Sequence, residues 1–508
     1  MHIPAFSRRR LLGWSVGIAA ASVTPLLAAC SQTPGTSTGS SSSSSSSSTS
    51  AAQPTTAPAA AAPTSAPAQL AAAPTTAPAA GQSTTNGQPV TVVMHSWLED
   101  PQDTFWGPTI KSFQQAHPDI IIKREWFPRN DMHTKELALA ATGQIGDIVR
   151  VNVAPLISEL QLKNVVQPLD SYIKADTSWA QNDQPQFWPG NINTYTIQGQ
   201  QWGYPIVGHP GAIEYFYNID VLTKAGSTLP PADMTNLTFD YTKWKIADFL
   251  EILPKGQVVG SDGRVSTYGI LPSLGGEGTV AVLRAYGGNY YNLDGTKTLI
   301  NSAESIEGLQ FLSDYWNKLK VGVPMQTNPD WTQIFPSGRT TFCVLTAVAG
   351  TVTNLVKDKF KWGLAPPPIG PVGKPATQVS SDGIAMSKIS KHPEQAWEVM
   401  KMCLSKEFGI GRHIAGLGSP GSRYDVWTDP TFKKAEPLLA SIIYDNLIDP
   451  KKAPPLQPWS HPANGRFFEA DTAMTNILQD VWLGKKTPKA AADEAATTVQ
   501  GILDKPPA

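Results

Sequence analysis

From residue 90 onward the apolar positions recur with the periods of strands and helices. VTVVMHSW (90–97) is β-branched and apolar, which predicts a buried strand. A loop carrying Glu99 and Asp100 follows. A helix from Thr104 then sets Trp106, Ile110 and Phe113 on one face and ends near His117-Pro118. DIIIKREWF (119–127) predicts a second strand, KELALAATG a helix stopped at Gly143, and GDIVRVN (146–152) a third strand. Strand–helix–strand is the unit of a parallel sheet with right-handed crossovers.

The stretch from Gln201 to Gly226 breaks this rhythm. Trp202-Gly203-Tyr204-Pro205 is an aromatic run interrupted by glycine and stopped by proline, and Gly208, Pro210 and Gly211 follow. Then AIEYFYN (212–218) alternates as a strand does, and IDVLTKAG predicts a helix with a Gly226 C-cap. Such a punctuated segment between two strands predicts a chain leaving one domain for another. Farther on, Tyr268-Gly269-Ile270 and the apolar run TTFCVLT have strand character. Ile306, Leu309, Leu312, Trp316 and Leu319 form one helical stripe, and Ala396, Trp397, Met400, Cys403 and Leu404 form another behind Glu394. Two last helices are predicted near 464–483 and 487–503.

The first 88 residues carry no such pattern. Ser7-Arg8-Arg9-Arg10-Leu11-Leu12 resembles a twin-arginine export signal, with Arg8 and Arg9 just ahead of an uncharged apolar run. That run ends in Leu27-Ala28-Ala29-Cys30, which resembles a bacterial lipobox and implies lipidation of Cys30 after cleavage. Residues 31–88 are almost all Ser, Thr, Ala, Pro and Gly, with nine consecutive serines from Ser40 to Ser48, and Leu70 is the one large apolar side chain. No core can form there, so this reads as a tether with an end-to-end distance of roughly 40 Å.

Composition narrows the function. The 508 residues carry 40 basic and 41 acidic side chains, a balance that gives no electrostatic case for nucleic acid. Three cysteines exclude a disulfide framework; Cys343 and Cys403 lie in apolar runs and are expected to be buried, and their pairing is left open. The eight histidines show no metal-ligand spacing, and no GxSxG, HExxH, P-loop or helix-opening GxGxxG is present. No cofactor is implied. Fifteen tryptophans exceed what a chain of this size usually holds; most belong in cores, and a few suit the apolar faces of sugar rings.

Several segments together resemble the extracellular solute-binding proteins, family 1, that feed sugars to ABC importers. The order G-Y-P, then Y-N-x-D-x-L-x-K-A-G, is met by Gly203-Tyr204-Pro205 and Tyr217-Asn218-Ile219-Asp220 through Gly226. Leu229-Pro230-Pro231, Phe335–Phe342, the run Lys361–Ser405 and Gly418–Arg423 follow in the family's order. The chain departs from the pattern where Gly146 replaces a usual proline, where Thr341-Phe342 stand for Ala-Met, and where Ala349-Gly350-Thr351 occupy the place of a common stacking aromatic. The resemblance covers roughly residues 90–503. It implies an α/β, two-lobed periplasmic-binding-protein-like fold, each lobe a sheet flanked by helices with the ligand cleft between. Lobe 1 is expected at 89–209 and 378–425, and lobe 2 at 210–377 and 426–508, after a signal peptide at 1–30 and the tether at 31–88.

Residues at strand ends and crossing loops are then the ligand candidates. They are Trp97, Glu99, Asp100, Asn152, His209, Asp382, Arg423 and Trp459, a mix of planar polar groups and indoles that suits sugar hydroxyls and ring faces. Glu99 and Asp100 have helix entry as their plainer role, His209 hinge packing, and Trp97 a place in the core. The expected protein is a monomeric, lipid-anchored, extracytoplasmic binding component that delivers a sugar or glycoside to ABC permease subunits and is no enzyme. Its rivals are a secreted glycosidase, for which Glu99 and Asp100 are the only foothold, a binder of a non-sugar polar solute, and a sensory or adhesive protein without a permease.

Overall fold

The computed structural model describes residues 88–508 apart from 98, 210–212, 326–328, 346–347, 380, 450 and 452–460, together with the side chain of 130. Ten strands, numbered in chain order, form its two five-stranded sheets. In the first sheet β1 (Val90–Trp97) lies parallel to β2 (Ile120–Phe127) and to β3 (Ile148–Val151). The second sheet contains β5 (Glu214–Asn218), β6 (Val258–Val259), β7 (Val265–Leu271), β8 (Thr340–Leu345) and β9 (Trp362–Ala365). The first is completed by β4 (Tyr204–Val207) and by β10 (Asp382–Met386), which returns from the second. The orders are β2-β1-β3-β10-β4 and β6-β7-β8-β5-β9.

Alternation along the strands decides what each face of the first sheet covers. Val92, Met94, Ile148, Ile384 and Met386 point into one core, with Trp106, Trp397, Met400 and Cys403 from the helices above. Val149, Val151 and Ala385 point into a smaller core on the other face, with Leu156, Leu160 and Tyr195. The helix Trp106–Ala116 buries Trp106 and half-buries Ile110 and Phe113. The second sheet lies within one large core that takes in the helices Gly275–Tyr286, Ala303–Asn317, Phe467–Trp482 and Pro488–Leu503. Trp188 and Ile410 join this second core, whereas Phe467 packs with the first sheet. Cys343 and Cys403 are free and sit in different cores.

One departure from the family pattern has a physical reason. The backbone N–H of Gly146 donates to His95 Nε2 at 3.1 Å, which a proline could not do. A side chain there would also meet Val93 O at 2.8 Å. His95 Nε2 therefore accepts, and its Nδ1–H faces the buried Glu136 carboxylate at 3.3 Å.

The passage from β4 to β5 is tied to a second crossing. Gly208 adopts φ 101, donates its N–H to Pro420 O at 3.0 Å and accepts at its carbonyl from Ser422 Oγ at 2.9 Å. Beside it, a Cβ on Gly421 would approach Gly409 Cα to 3.1 Å. Small residues thus let the crossing press against the helix Lys406–Ile414.

Candidate functional site

The carboxyl ends of β1, β3 and β4 and the start of β10 share one edge of the first sheet, since Gly383 pairs with Val151 and Asp382 with Val207. In open α/β sheets this edge is where ligands bind. Arg150, near the end of β3, is the charge around which it is built. Its guanidinium is fully buried, lies 3.7 Å over the Trp97 ring, and has Nη2 4.0 Å from Asp382 Oδ2. Among the described residues Nε, Nη1 and Nη2 of Arg150 make no hydrogen bond. Burial lowers its pKa to about 10, against the attraction of Glu99 and Asp382.

Arg129 follows β2 and brings a second guanidinium to the same place. It stands 5.0 Å over Trp97 and 3.8 Å from Asp382 Oδ2, with 59% of its side chain exposed. Asn152 holds it there: Arg129 Nε donates to Asn152 Oδ1, and Asn152 Nδ2 donates to the Arg129 carbonyl, both at 3.1 Å. Glu99 accepts from Trp106 Nε1 at 2.9 Å and from Arg412 Nη2 at 2.6 Å, with Arg412 and Glu99 side chains 3% and 5% exposed. Burial works to raise the Glu99 pKa, but Arg412, Arg150 and the hydrogen bonds outweigh it and hold the group below the usual glutamate range. For Asp382 burial wins, and its carboxyl is raised although Arg129 and Arg150 oppose the rise.

The structure therefore brings Trp97, Glu99, Asn152 and Asp382 to one cluster and gives the other candidates different surroundings. The Trp97 ring is packed under guanidinium groups and is 7% exposed, so it does not present a bare indole face. Asp100 accepts from Thr104 N, Thr104 Oγ1, Phe105 N and Trp106 N at 2.8–3.0 Å, so both its oxygens cap a helix start. Burial acts to raise Asp100, and these donors overcome it and hold the carboxyl low. His209 is buried in the crossing, 2.9 Å from Glu214 Oε1 and edge-on to Trp427, and burial pushes its pKa down to about 3. Arg423 donates to Asp425, Asp183 and Leu404 O and covers Phe187, a set of contacts that holds neighbouring segments together. Trp459, Cys30, Arg8 and Arg9 lie outside the described residues.

Sequence reading missed Arg150, Arg129 and Arg412. Arg150 left a signal, a lone charge within the apolar run IVRV. The other two left none, since an arginine in a loop or on a helix usually faces water. It also passed over the segment leading into β10, where Thr377 Oγ1, Gln378 Nε2 and Ser381 Oγ are buried without hydrogen bonds among the described residues. The amide oxygen of Gln378 accepts from Arg284 Nη1, which ties this segment to the helix Gly275–Tyr286 of the second sheet. Two surface cavities lie elsewhere. One of about 600 Å³ runs between Phe105–His117 and Glu398–Phe408, another of about 360 Å³ is lined by Asp170, Gln184 and Gln201, and neither includes a residue of the Arg150 cluster.

A family model described as bacterial extracellular solute-binding protein matches residues 109–440. The arabinooligosaccharide-binding protein of Bacillus subtilis (strain 168) is 22% identical over 411 residues, covering 78% of this chain and 88% of its own. Among solved structures, an ABC substrate-binding protein from Listeria monocytogenes in complex with cycloalternan superposes with a TM-score of 0.68 at 18% identity, over 82% of this chain and 99% of that one. The sugar-binding protein MalE from Xanthomonas citri gives 0.65 at 17%, over 82% and 97%. These likenesses establish the two-lobed fold. With the family model spanning most of the folded region, the chain belongs to the bacterial extracellular solute-binding proteins.

Proposed function

We propose that this protein captures a saccharide between its lobes outside the cytoplasm and delivers it to the permease subunits of an ABC importer. The observation that carries the reading is the edge of the first sheet, where buried polar groups converge without partners of their own beside crossings that join the two sheets. Ligands favour clefts between domains, and hinge closure around them is an established repertoire. Closure would give the Arg150 guanidinium, Ser381 Oγ and Gln378 Nε2 the hydrogen bonds they lack among the described residues, which is how a site comes to prefer the bound, closed state. The relatives add support: one is named for arabinooligosaccharides, and a structural counterpart holds cycloalternan. In this reading the export signal, lipid on Cys30 and the tether at 31–88 keep a monomeric binding domain near its permease. Lobe 1 comprises 89–209 and 378–425, and lobe 2 comprises 210–377 and 426–508.

A thermal-shift panel of mono-, di- and oligosaccharides against the full chain tests this, with amino acids and polyols as controls. A saturating ligand at about 1,000 times its Kd adds roughly 4 kcal/mol, a rise of several degrees. A saturable shift with one sugar class, and no turnover of chromogenic glycosides, is the expected result. Shifts confined to the non-sugar controls would discard the saccharide, and hydrolysis of a glycoside would restore the enzyme reading.

A further inference from the structure

Arg150 differs from the buried ionisable groups around it. His95 faces Glu136 at 3.3 Å, and Arg412 pairs with Glu99 at 2.6 Å. Arg150 is as deeply buried, but among the described residues its only carboxylate within 4 Å is Asp382, at 4.0 Å, and that oxygen also serves Arg129 at 3.8 Å. None of its guanidinium nitrogens makes a hydrogen bond among the described residues. An interior guanidinium with its donors unused is costly, because it gives up hydration without replacement. Glu99 and Asp382 attract it, and Arg129 and Arg412 repel it. Glu99 is engaged by Arg412 and Asp382 is shared with Arg129, so neither carboxylate belongs to Arg150 alone, and the exposed Arg129 carries the cluster out to solvent.

We infer that the ligand is an acidic saccharide whose oxyanion, a carboxylate or a phosphate ester, is received by Arg150 and Arg129. The step rests on the saccharide reading above. A guanidinium presents a planar fork that matches both oxyanions in paired hydrogen bonds, and Trp97 beneath Arg150 together with Asn152 beside Arg129 fixes the two forks in place. A neutral sugar would satisfy some of the donors but would leave the buried Arg150 guanidinium without a hydrogen-bonded anion. Asp382, between the two arginines, then keeps the empty site from carrying its full positive charge.

Calorimetric titration of the full chain with matched pairs tests the inference: galacturonate oligomers against galactose oligomers, glucuronate against glucose, and glucose 6-phosphate against glucose. The expected result is one acidic member binding at least about tenfold tighter than its neutral counterpart, with the advantage shrinking as salt rises. The pair that responds tells carboxylate from phosphate. Arg150→Gln and Arg129→Gln should each reduce that preference, and because Arg129 is largely exposed the second variant gives an answer even if the first does not fold. Neutral sugars binding as well as their acidic partners would overturn the inference and leave the saccharide reading standing. A preference that survives both substitutions would overturn the assignment to these arginines. Binding by no saccharide would overturn both readings together.

Discussion

The Glu99 carboxylate is buried and that of Asp471 partly so, and their opposite surroundings predict opposite responses to pH. Glu99 is held low by Arg412 and Arg150 against the effect of burial. Its contribution is therefore present above the unfolded glutamate pKa and is lost as pH falls through the lower folded value. Glu99→Gln should cost about 3 kcal/mol by leaving Arg412 buried beside a neutral group, read as a lower midpoint in urea unfolding. Asp471, in the helix Phe467–Trp482, has Oδ1 buried with no hydrogen bond among the described residues, and burial raises it to about 6. Here the native state holds its proton longer than the unfolded chain, so stability is full below about pH 4 and declines as pH rises through 6. Asp471→Asn should then stabilise at pH 7 by up to about 3 kcal/mol and change nothing at pH 3.5; equal effects at both pH values would refute the cause given. The two core thiols behave alike. Burial pushes Cys403 up to about 12 and Cys343 higher still. Neither should react with a thiol reagent until the chain unfolds, as mass spectrometry of the labelled peptides would show.

Among elements, Gly146 gives the sharpest test. Gly146→Pro would remove the donor to His95 and put a Cβ near Val93 O. We expect a loss of about 3 kcal/mol in denaturant unfolding; a neutral result would mean that the loop relaxes without the His95 contact. The same stretch shows what a sequence reveals. The strand Val90–Trp97 and the helices Ala303–Asn317 and Pro393–Cys403 are legible because each buries one face and so writes its period into the chain. Strand order is not legible: β10 lies between β3 and β4 through pairings more than 170 residues apart, and nothing local to Asp382–Met386 names those partners. The segment Leu439–Ile448 winds as a π-helix, a geometry with no simple apolar period to find. At the site, Glu99 and Asp382 were legible as carboxylates beside strand ends, while their arginine partners come from a distant loop, strand and helix that only the fold brings together.

At the scale of the whole molecule, two sheets with separate cores are joined by crossings that are themselves hydrogen-bonded, at Gly208 with Pro420 and Ser422. Helix contacts also pass between the sheets, for His413 of Lys406–Ile414 has Nε2 3.3 Å from Glu436 Oε1. Under the proposed function these crossings, with Gly208 at a positive φ, would be where the lobes hinge. Tethering belongs to the same scale. If Cys30 carries the lipid, Cys30→Ser should move the protein from the membrane fraction to the soluble fraction in the native host without altering its solute affinity. A membrane fraction unchanged by that substitution would end the anchor proposal.

The proposed function requires a saccharide to bind where the two lobes meet. The direct measurement is a crystal structure of the chain with the tightest-binding sugar of the panel. The ligand is expected at the carboxyl edge of the first sheet, hydrogen-bonded to Arg150 and Asp382 and touching residues of the second lobe across the cleft. A sugar seated instead in the groove between Phe105–His117 and Glu398–Phe408, or touching one lobe alone, would contradict it.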